Sequence, residues 1–504
     1  VLADETGDYE FVVRTPNTMR FWINADPRAV ADVSLDVNVS NPSQPDHRVT
    51  VRLLGGRRYP IGIDYWALPE KEGAAAPAIA LRWKPPRGTE RPVPARNLSP
   101  QMASPSLVIG TRFPPDDSSH GYERGLSVSK EWDEATTRAA FEVANHVAKR
   151  IDRLAGTRAG EAGRAAKIEA FAARWVGAAF RRPLSEAERE LHVASVFRES
   201  ADPDIAMRRV VLRSLKSPHF LYPDLPAPEH PEHRVATRLA LNLWDSLPDA
   251  ALLRAAAGGS LASREAVRSE ATRMLNDPRA RAKLHGFFRQ WLQLRFEDDL
   301  AKEPTLFPGF SPELADDLRT SLDLFLDEVA WSEASDFREL LRADYLIANG
   351  RIARFYGLPI PPGEGFARVP APGGERSGVM THPYVLAALS YPKSTSPIHR
   401  GVFLTRNIVG RALRPPPMAV AFKDADFKPG MSMREKITEL TRPQACQSCH
   451  SVINPLGFTL ESYDAVGRFR DKDGSRPVDT AADYTTDDGG IVRLKGARDV
   501  AEFA

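Results

Sequence analysis

The hydrophobic period of this chain changes near residue 129, and that change constrains the fold more than any other feature. Up to about residue 84, short runs rich in β-branched and aromatic residues alternate with polar positions, and turn residues separate them. This pattern is typical of short antiparallel strands in a sandwich. From Ser129 onward, apolar residues such as Val143, Val147 and Ile151 recur at helical spacing. The sequence therefore predicts an antiparallel β-sandwich followed by a large all-α body.

The length of 504 residues is enough for about three domains, each with its own core. Shifts in composition place five segments: a β-sandwich at 1–95, a Pro- and Ser-rich linker at 96–128, helical domains at 129–225 and 226–344, and a last domain at 345–504. We expect the last domain to be mostly α with a few short strands. Within it, Tyr345 to Tyr356 and Ser396 to Ile408 are predicted helices, and Asn454 to Phe458 is a predicted loop.

Composition excludes several classes of protein. The formal net charge of +2 favours neither nucleic acid nor an anionic membrane as a partner. No apolar run approaches the roughly 18 residues of a transmembrane helix. The chain starts without a signal peptide, and because Thr6 to Phe11 already reads as a strand, we expect the true N-terminus, with any export signal, to lie upstream. The chain stops at Ala504 inside a predicted helix, so we expect a C-terminal continuation as well.

One motif carries a specific chemistry. Cys446 and Cys449 are the only two cysteines, and His450 follows them directly. Cys-X-X-Cys-His is the attachment pattern of haem c, in which two thiols bind the vinyl groups and the histidine is the proximal iron ligand. A zinc site would need a second Cys or His pair, and none follows His450 in the sequence. A disulfide or another metal site remains an alternative, but the motif predicts one covalent haem c.

The other axial position of the iron decides what such a haem can do, because a sixth protein ligand closes it and an open position permits peroxide or oxygen chemistry. His382 is our preferred sixth ligand, since it opens the C-terminal domain that carries the motif. Met380, Met418, Met431 and Met433 are the alternatives.

The surroundings of a haem can also be predicted. Arg468, Arg470 and Arg400 are candidates to pair with the haem propionates, because guanidinium groups bind carboxylates through two parallel hydrogen bonds. Leu456 and Phe458 follow the motif closely, and we expect them to pack on the haem face and exclude water.

The N-terminal strands carry one resemblance. Thr6 to Phe11, Arg20 to Asn24, Leu53 to Tyr65 and Leu81 to Pro86 resemble the protective-antigen-type β-sandwich, which is often a carbohydrate-binding module. Sugar-binding modules of this type commonly use adjacent aspartates on a calcium loop, and this stretch has no such pair. The resemblance therefore implies a structural or docking role, with binding of polysaccharide or a cell surface as the alternative.

The rest of the chain carries a second resemblance. It rests on the following stretches: Phe113 to Thr137, Leu212 to Tyr222, Asn276 to Ala280, Gln290 to Leu292, Thr395 to Pro397 with Arg400 and Gly401, and Cys446 to Arg468. They resemble the multidomain c-type cytochromes of planctomycetes, whose domains have no assigned function. The resemblance implies a single haem c, export from the cytoplasm and no settled activity.

These observations lead to one functional hypothesis with two alternatives. We expect an exported, periplasmic or cell-surface monohaem cytochrome that passes electrons within or to an extracytoplasmic assembly, with a redox protein as partner. The first alternative is a haem enzyme, such as a peroxidase or oxygenase, with an open distal site. The second is a structural or polysaccharide-binding subunit of an extracellular complex. Whether the protein is an enzyme stays open at this point.

Overall fold

The computed structural model describes residues 1–26, 32–39, 41, 43–67, 77–114, 129–223, 225, 228–294, 300–361, 363, 365–413 and 427–504. The chain forms two compact units. The first contains Val1–Pro86 and Glu90–Leu284, and the second contains Arg87–Thr89 and His285–Ala504. The five segment boundaries given above stay predictions.

Two antiparallel sheets face each other in the first unit. Their strands are β1 Gly7–Arg14, β2 Thr18–Ile23, β3 Leu35–Val37, β4 Asp46–Leu53, β5 Ile61–Trp66, β6 Ala80–Lys84 and β7 Arg91–Pro92. One sheet has the order β4-β1-β6-β7 and the other the order β3-β2-β5. Phe11 of β1 and Phe21 of β2 meet in the shared core, with ring centroids 5.8 Å apart. The predicted antiparallel sandwich is confirmed.

Helices form most of the remainder of the first unit, and the chain passes from the first unit to the second within the last of them. They are α1 Lys130–Ala148, α2 Ile151–Ala155, α3 Arg164–Phe180, α4 Glu186–Arg189, α5 Ser195–Arg198, α6 Pro203–Leu215, α7 Pro218–Leu221, α8 Pro231–Trp244, α9 Ala250–Ala257, α10 Arg264–Leu275 and α11 Pro278–Trp291. Of the predicted stripe, Val147 on α1 and Ile151 on α2 are buried and Val143 is half-buried; Val147 packs with Ile168, Val176 and Val210 of neighbouring helices. The predicted all-α body is confirmed by this core.

The second unit is mostly helical with short strands. Its elements are α12 Pro312–Trp331, α13 Glu339–Arg342, β8 Tyr345–Ala348, α14 Gly350–Tyr356, β9 Ala367–Pro370, α15 Pro383–Ala388, α16 Pro397–Phe403, α17 Met433–Leu440, α18 Gln444–Phe458, β10 Lys472–Asp473, β11 Arg476–Pro477, β12 Ala481–Thr485, β13 Ile491–Lys495 and α19 Ala497–Phe503. The two longer strand pairs, β8 with β9 and β12 with β13, are antiparallel.

Two local predictions in this unit are wrong. Tyr345–Ala348 is a strand rather than the start of a helix, because it pairs with β9, and α14 begins only after Asn349, whose side chain caps it. Asn454 to Phe458 is the last part of α18 rather than a loop, although Pro455 lies inside that helix. Packing of α18 against α16 outweighs the helix-breaking preference of proline at this position.

None of the described helices has the length and apolarity that crossing a lipid bilayer requires.

Candidate haem-attachment site

Helix α18 places the three motif residues on one face. The helix begins at Gln444, and the carbonyl of Pro443 accepts a hydrogen bond from the Cys446 amide at 2.9 Å. Residues three and four positions apart are neighbours on a helix surface, so Cys449 and His450 both lie beside Cys446, one turn later. Both cysteines are free thiols and half-buried. The helix therefore presents two thiols and one imidazole together.

The two halves of α18 differ in burial. Before Val452 the side chains are exposed or half-buried, and from Val452 to Phe458 all but Pro455 are buried. The second half is embedded between α16, α17 and β12, while the first half carries the motif at an accessible surface. One half of α18 is therefore fixed by packing, and the other half is accessible to solvent.

His450 is held by a hydrogen bond to the next turn of its own helix. Its Nδ1 lies 3.0 Å from Oδ1 of Asn454. The side-chain amide of Asn454 in turn lies 2.8 Å from the hydroxyl of Thr441, which donates to the carbonyl of Ile437 at 2.7 Å. Within the described part of the chain, Nε2 of His450 has no hydrogen-bond partner, so this nitrogen is the one that could bind iron.

Two glycines let α16 approach α18 closely. A Cβ on Gly457 would clash with the carbonyl of Pro397 and lie 3.2 Å from the amide nitrogen of Gly401. A Cβ on Gly401 would clash with the carbonyl of Ile453 and lie 2.8 Å from its Cγ2. Both clashes involve backbone atoms, which cannot move aside as a flexible side chain can. The buried half of α18 therefore depends on glycine at both positions.

Arg400, next to this crossing, fixes the loop that follows α18. Its side chain is fully buried and donates to the carbonyls of Leu460, Tyr463 and Asp464 at 2.7–2.8 Å. It also contacts the Glu461 carboxylate at 3.3 Å. Burial lowers the pKa of Arg400 to about 10, so the group remains a cation at neutral pH. These contacts make Arg400 a structural anchor of the loop instead of a free partner for a propionate.

The other two predicted arginines also have partners. Arg470 pairs with Glu461 at 3.0 Å and with Asp473 at 2.8 Å. The guanidinium of Arg468 lies 3.8 Å from the ring centroid of Phe355, and its backbone amide donates to Asp464. Pairing of Arg468 with a haem propionate stays a prediction.

The two predicted apolar neighbours lie in the buried half of the helix. Leu456 has no exposed surface. Phe458 packs with Met433 and Ile437 of α17. The guanidinium of Arg434 lies over the Phe458 ring, 4.6 Å from the centroid of that ring. Phe458 thus joins α18 to α17, and contact of either residue with a haem stays a prediction.

His382 lies in a different environment from His450. It is fully buried at the start of α15, where its Nδ1 accepts a hydrogen bond from the Tyr384 amide at 3.3 Å and its Nε2 lies 3.1 Å from the Ser321 hydroxyl. Burial, with a contribution from the charge of Arg376, lowers the pKa of His382 to about 3, so the ring is neutral. To bind iron, His382 would have to give up one of these bonds, and its role as sixth ligand stays a prediction.

The methionine alternatives divide between several places. Met380 and Met433 are buried, and Met431 lines a cavity of about 620 Å³ beside α17 and β10. Met418 lies outside the described residues. The sequence pattern placed Asn454 in a predicted loop without a contact to His450 and did not single out Thr441; the helical spacing of four residues from His450 to Asn454 is the signal that points to the first.

Comparison with known families agrees with a multidomain chain. Residues 1–97 match the PA14 domain, residues 231–358 match PSD4, a protein of unknown function (DUF1592), and residues 376–473 match PSCyt3, a protein of unknown function (DUF1588). The motif and the whole of α18 fall within the third match. No curated protein and no solved structure matches the chain. The chain is therefore similar to a PA14 domain at its N-terminus and to two families without an assigned function in the regions that follow.

Proposed function

We propose that this protein is an exported monohaem c-type cytochrome that transfers electrons to a partner protein. One observation carries the proposal: α18 presents Cys446, Cys449 and His450 on one accessible face, with Nδ1 of His450 already bonded to Asn454 and Nε2 left for iron. When bound, haem c supplies a one-electron couple between ferric and ferrous iron. The similarity to two families of unknown function is compatible with this role and leaves the activity open.

Each motif residue has a chemical task in this proposal. Cys446 and Cys449 would hold the haem through two thioether bonds, each the addition of a thiol across a vinyl group with no leaving group, and His450 would be the iron ligand through Nε2. Arg400 and the crossing at Gly401 and Gly457 keep α18 in place during oxidation and reduction, which lowers the reorganisation that electron transfer requires.

Export and a redox partner complete the proposal. Because covalent haem is attached outside the cytoplasm, the motif supports a periplasmic or cell-surface location. The accessible half of α18 is the edge at which a partner protein would receive the electron, and the β-sandwich would bind the assembly or a polysaccharide. The location and the role of α18 as the contact for a redox partner both depend on haem being bound.

The spectrum of the ferric protein separates electron transfer from haem catalysis. A six-coordinate low-spin spectrum that cyanide changes only slowly supports electron transfer. A high-spin spectrum with rapid cyanide binding would replace this proposal with the enzymatic one. The variant His382→Ala tests the sixth ligand: we expect a loss of the low-spin spectrum if His382 moves to the iron, and an unchanged spectrum would exclude His382.

A further inference from the structure

The hydrogen bonds behind His450 form a chain whose direction is fixed at one end. The carbonyl of Ile437 can only accept, so the single hydroxyl proton of Thr441 is committed to it across 2.7 Å. The oxygen of that hydroxyl can then only accept from its other neighbour, Asn454. The atom of Asn454 that faces Thr441 at 2.8 Å is therefore the amide NH₂ and not the carbonyl oxygen.

This orientation of the amide decides which nitrogen of His450 carries the proton. With its NH₂ turned to Thr441, Asn454 turns Oδ1 to Nδ1 of His450 at 3.0 Å. A carbonyl oxygen cannot donate, so Nδ1 must be protonated and Nε2 of the neutral ring must hold a lone pair. Thr441 and Asn454 are only 3% and 8% exposed, so water has little access to exchange for either bond.

His382 shows that this outcome is not general for the histidines of the chain. Its Nδ1 accepts from a backbone amide, which leaves the proton on Nε2 facing the Ser321 hydroxyl. His450 and His382 therefore hold opposite tautomers, and only that of His450 suits iron binding through Nε2.

We propose that Asn454 and Thr441 are positioning residues that hold the proton of His450 on Nδ1, keep Nε2 as an iron ligand and strengthen its donation to the iron. The effect on the iron rests on the proposed function, whereas the tautomer of His450 does not depend on bound haem. A hydrogen bond from Nδ1–H to a carbonyl raises the basicity of the other nitrogen, which favours ferric iron. Asn454 therefore lowers the reduction potential, and Thr441 acts through Asn454 by fixing its orientation.

The tautomer is tested on the cofactor-free chain. In ¹⁵N-histidine-labelled protein, the ring signals of His450, assigned by their loss in His450→Gln, should show a proton on Nδ1. His382, assigned in the same way, should show a proton on Nε2 and serves as the internal reference. Thr441→Val, which keeps the shape and removes the hydroxyl, should bring the His450 signals towards a mixture, whereas Thr441→Ser should not. A proton on Nε2 of His450 in the wild-type chain would overturn the proposal.

The effect on the iron is tested on the haem-loaded chain by optical redox titration. Relative to wild type, Asn454→Leu should raise the reduction potential and Asn454→Asp should lower it, because the carboxylate is a stronger acceptor. Thr441→Val should raise it less than Asn454→Leu, and Thr441→Ser should leave it unchanged. Equal potentials in all five proteins, with haem bound, would overturn the proposal and leave the proposed function intact. A chain that takes up no haem but keeps the proton on Nδ1 would refute the function and retain the assignment of the positioning residues.

Discussion

Gly457 of α18 lies against Gly401 of α16 so closely that a Cβ on Gly457 would lie 3.2 Å from the Gly401 amide nitrogen. This contact anchors the helix that carries the motif residues. The site is therefore sensitive to changes on the side of α18 that faces away from solvent.

Replacement of Gly457 by alanine should destabilise the second unit by about 1–3 kcal/mol, because the new methyl group meets the Pro397 carbonyl. Thermal unfolding measures the effect. Gly286→Ala is the matched control, since Gly286 lies within α11 with nothing close to its Cβ position. Alanine there should be neutral or stabilise the helix by up to about 1 kcal/mol. Equal melting temperatures for both variants would refute the close crossing.

Replacement of Arg400 by methionine should cost about 3–5 kcal/mol, because three buried carbonyls lose their donor and the buried Glu461 keeps only Arg470 as a cationic partner. Urea unfolding gives the value. Arg338→Met is the control: that side chain is 73% exposed and pairs with Asp336, so its loss should leave stability almost unchanged. A cost for Arg400→Met as small as for the control would contradict the anchoring role.

The raised pKa of His285 beside Asp327 predicts that the folded chain loses stability as the pH rises. Burial alone lowers its pKa, but the hydrogen bond to Asp327 at 2.8 Å and the charges of Asp323 and Asp327 outweigh burial and leave the pKa above 6.5. The folded chain therefore binds this proton more tightly than the unfolded chain. Its contribution is complete below pH 6.5 and is lost as pH rises through the folded pKa, at up to about 1.4 kcal/mol per pH unit.

The measurement is the free energy of unfolding in urea as a function of pH, from pH 6 upward. His285→Gln keeps a hydrogen-bond donor towards Asp327 but does not titrate, so the part of the slope due to His285 should disappear. Asp327→Asn should reduce it. An identical slope in wild type and His285→Gln would show that the pKa of His285 is not raised.

Much of the architecture was readable from the sequence, because it follows from local periodicity. The alternating runs around Phe11 and Phe21 gave the sandwich, and the helical stripe on α1 gave the core of the body. The predicted helix from Ser396 to Ile408 contains α16, which the side chain of Ser396 caps. The strand at Tyr345–Ala348 was missed because its partner β9 lies about twenty residues away and leaves no local signal.

The site was readable only in part. The motif itself is a local pattern, but Asn454 was hidden by the prediction of a loop after the motif, which removed the helical spacing between it and His450. Pro455 and Gly457 are poor helix formers, and only the crossing with α16 explains why the helix continues through them. The partners of Arg400 and His382 are set by tertiary packing, which no spacing in the sequence discloses.

The proposed function requires that Cys446, Cys449 and His450 hold one covalent haem. The most direct test is to recover the exported chain and measure its intact mass under denaturing conditions. The mass should exceed that of the amino acids by one haem; this increase should persist in His450→Ala, where the thioethers remain, and disappear when both cysteines are replaced by serine. An exported wild-type chain with the mass of its amino acids alone would contradict it.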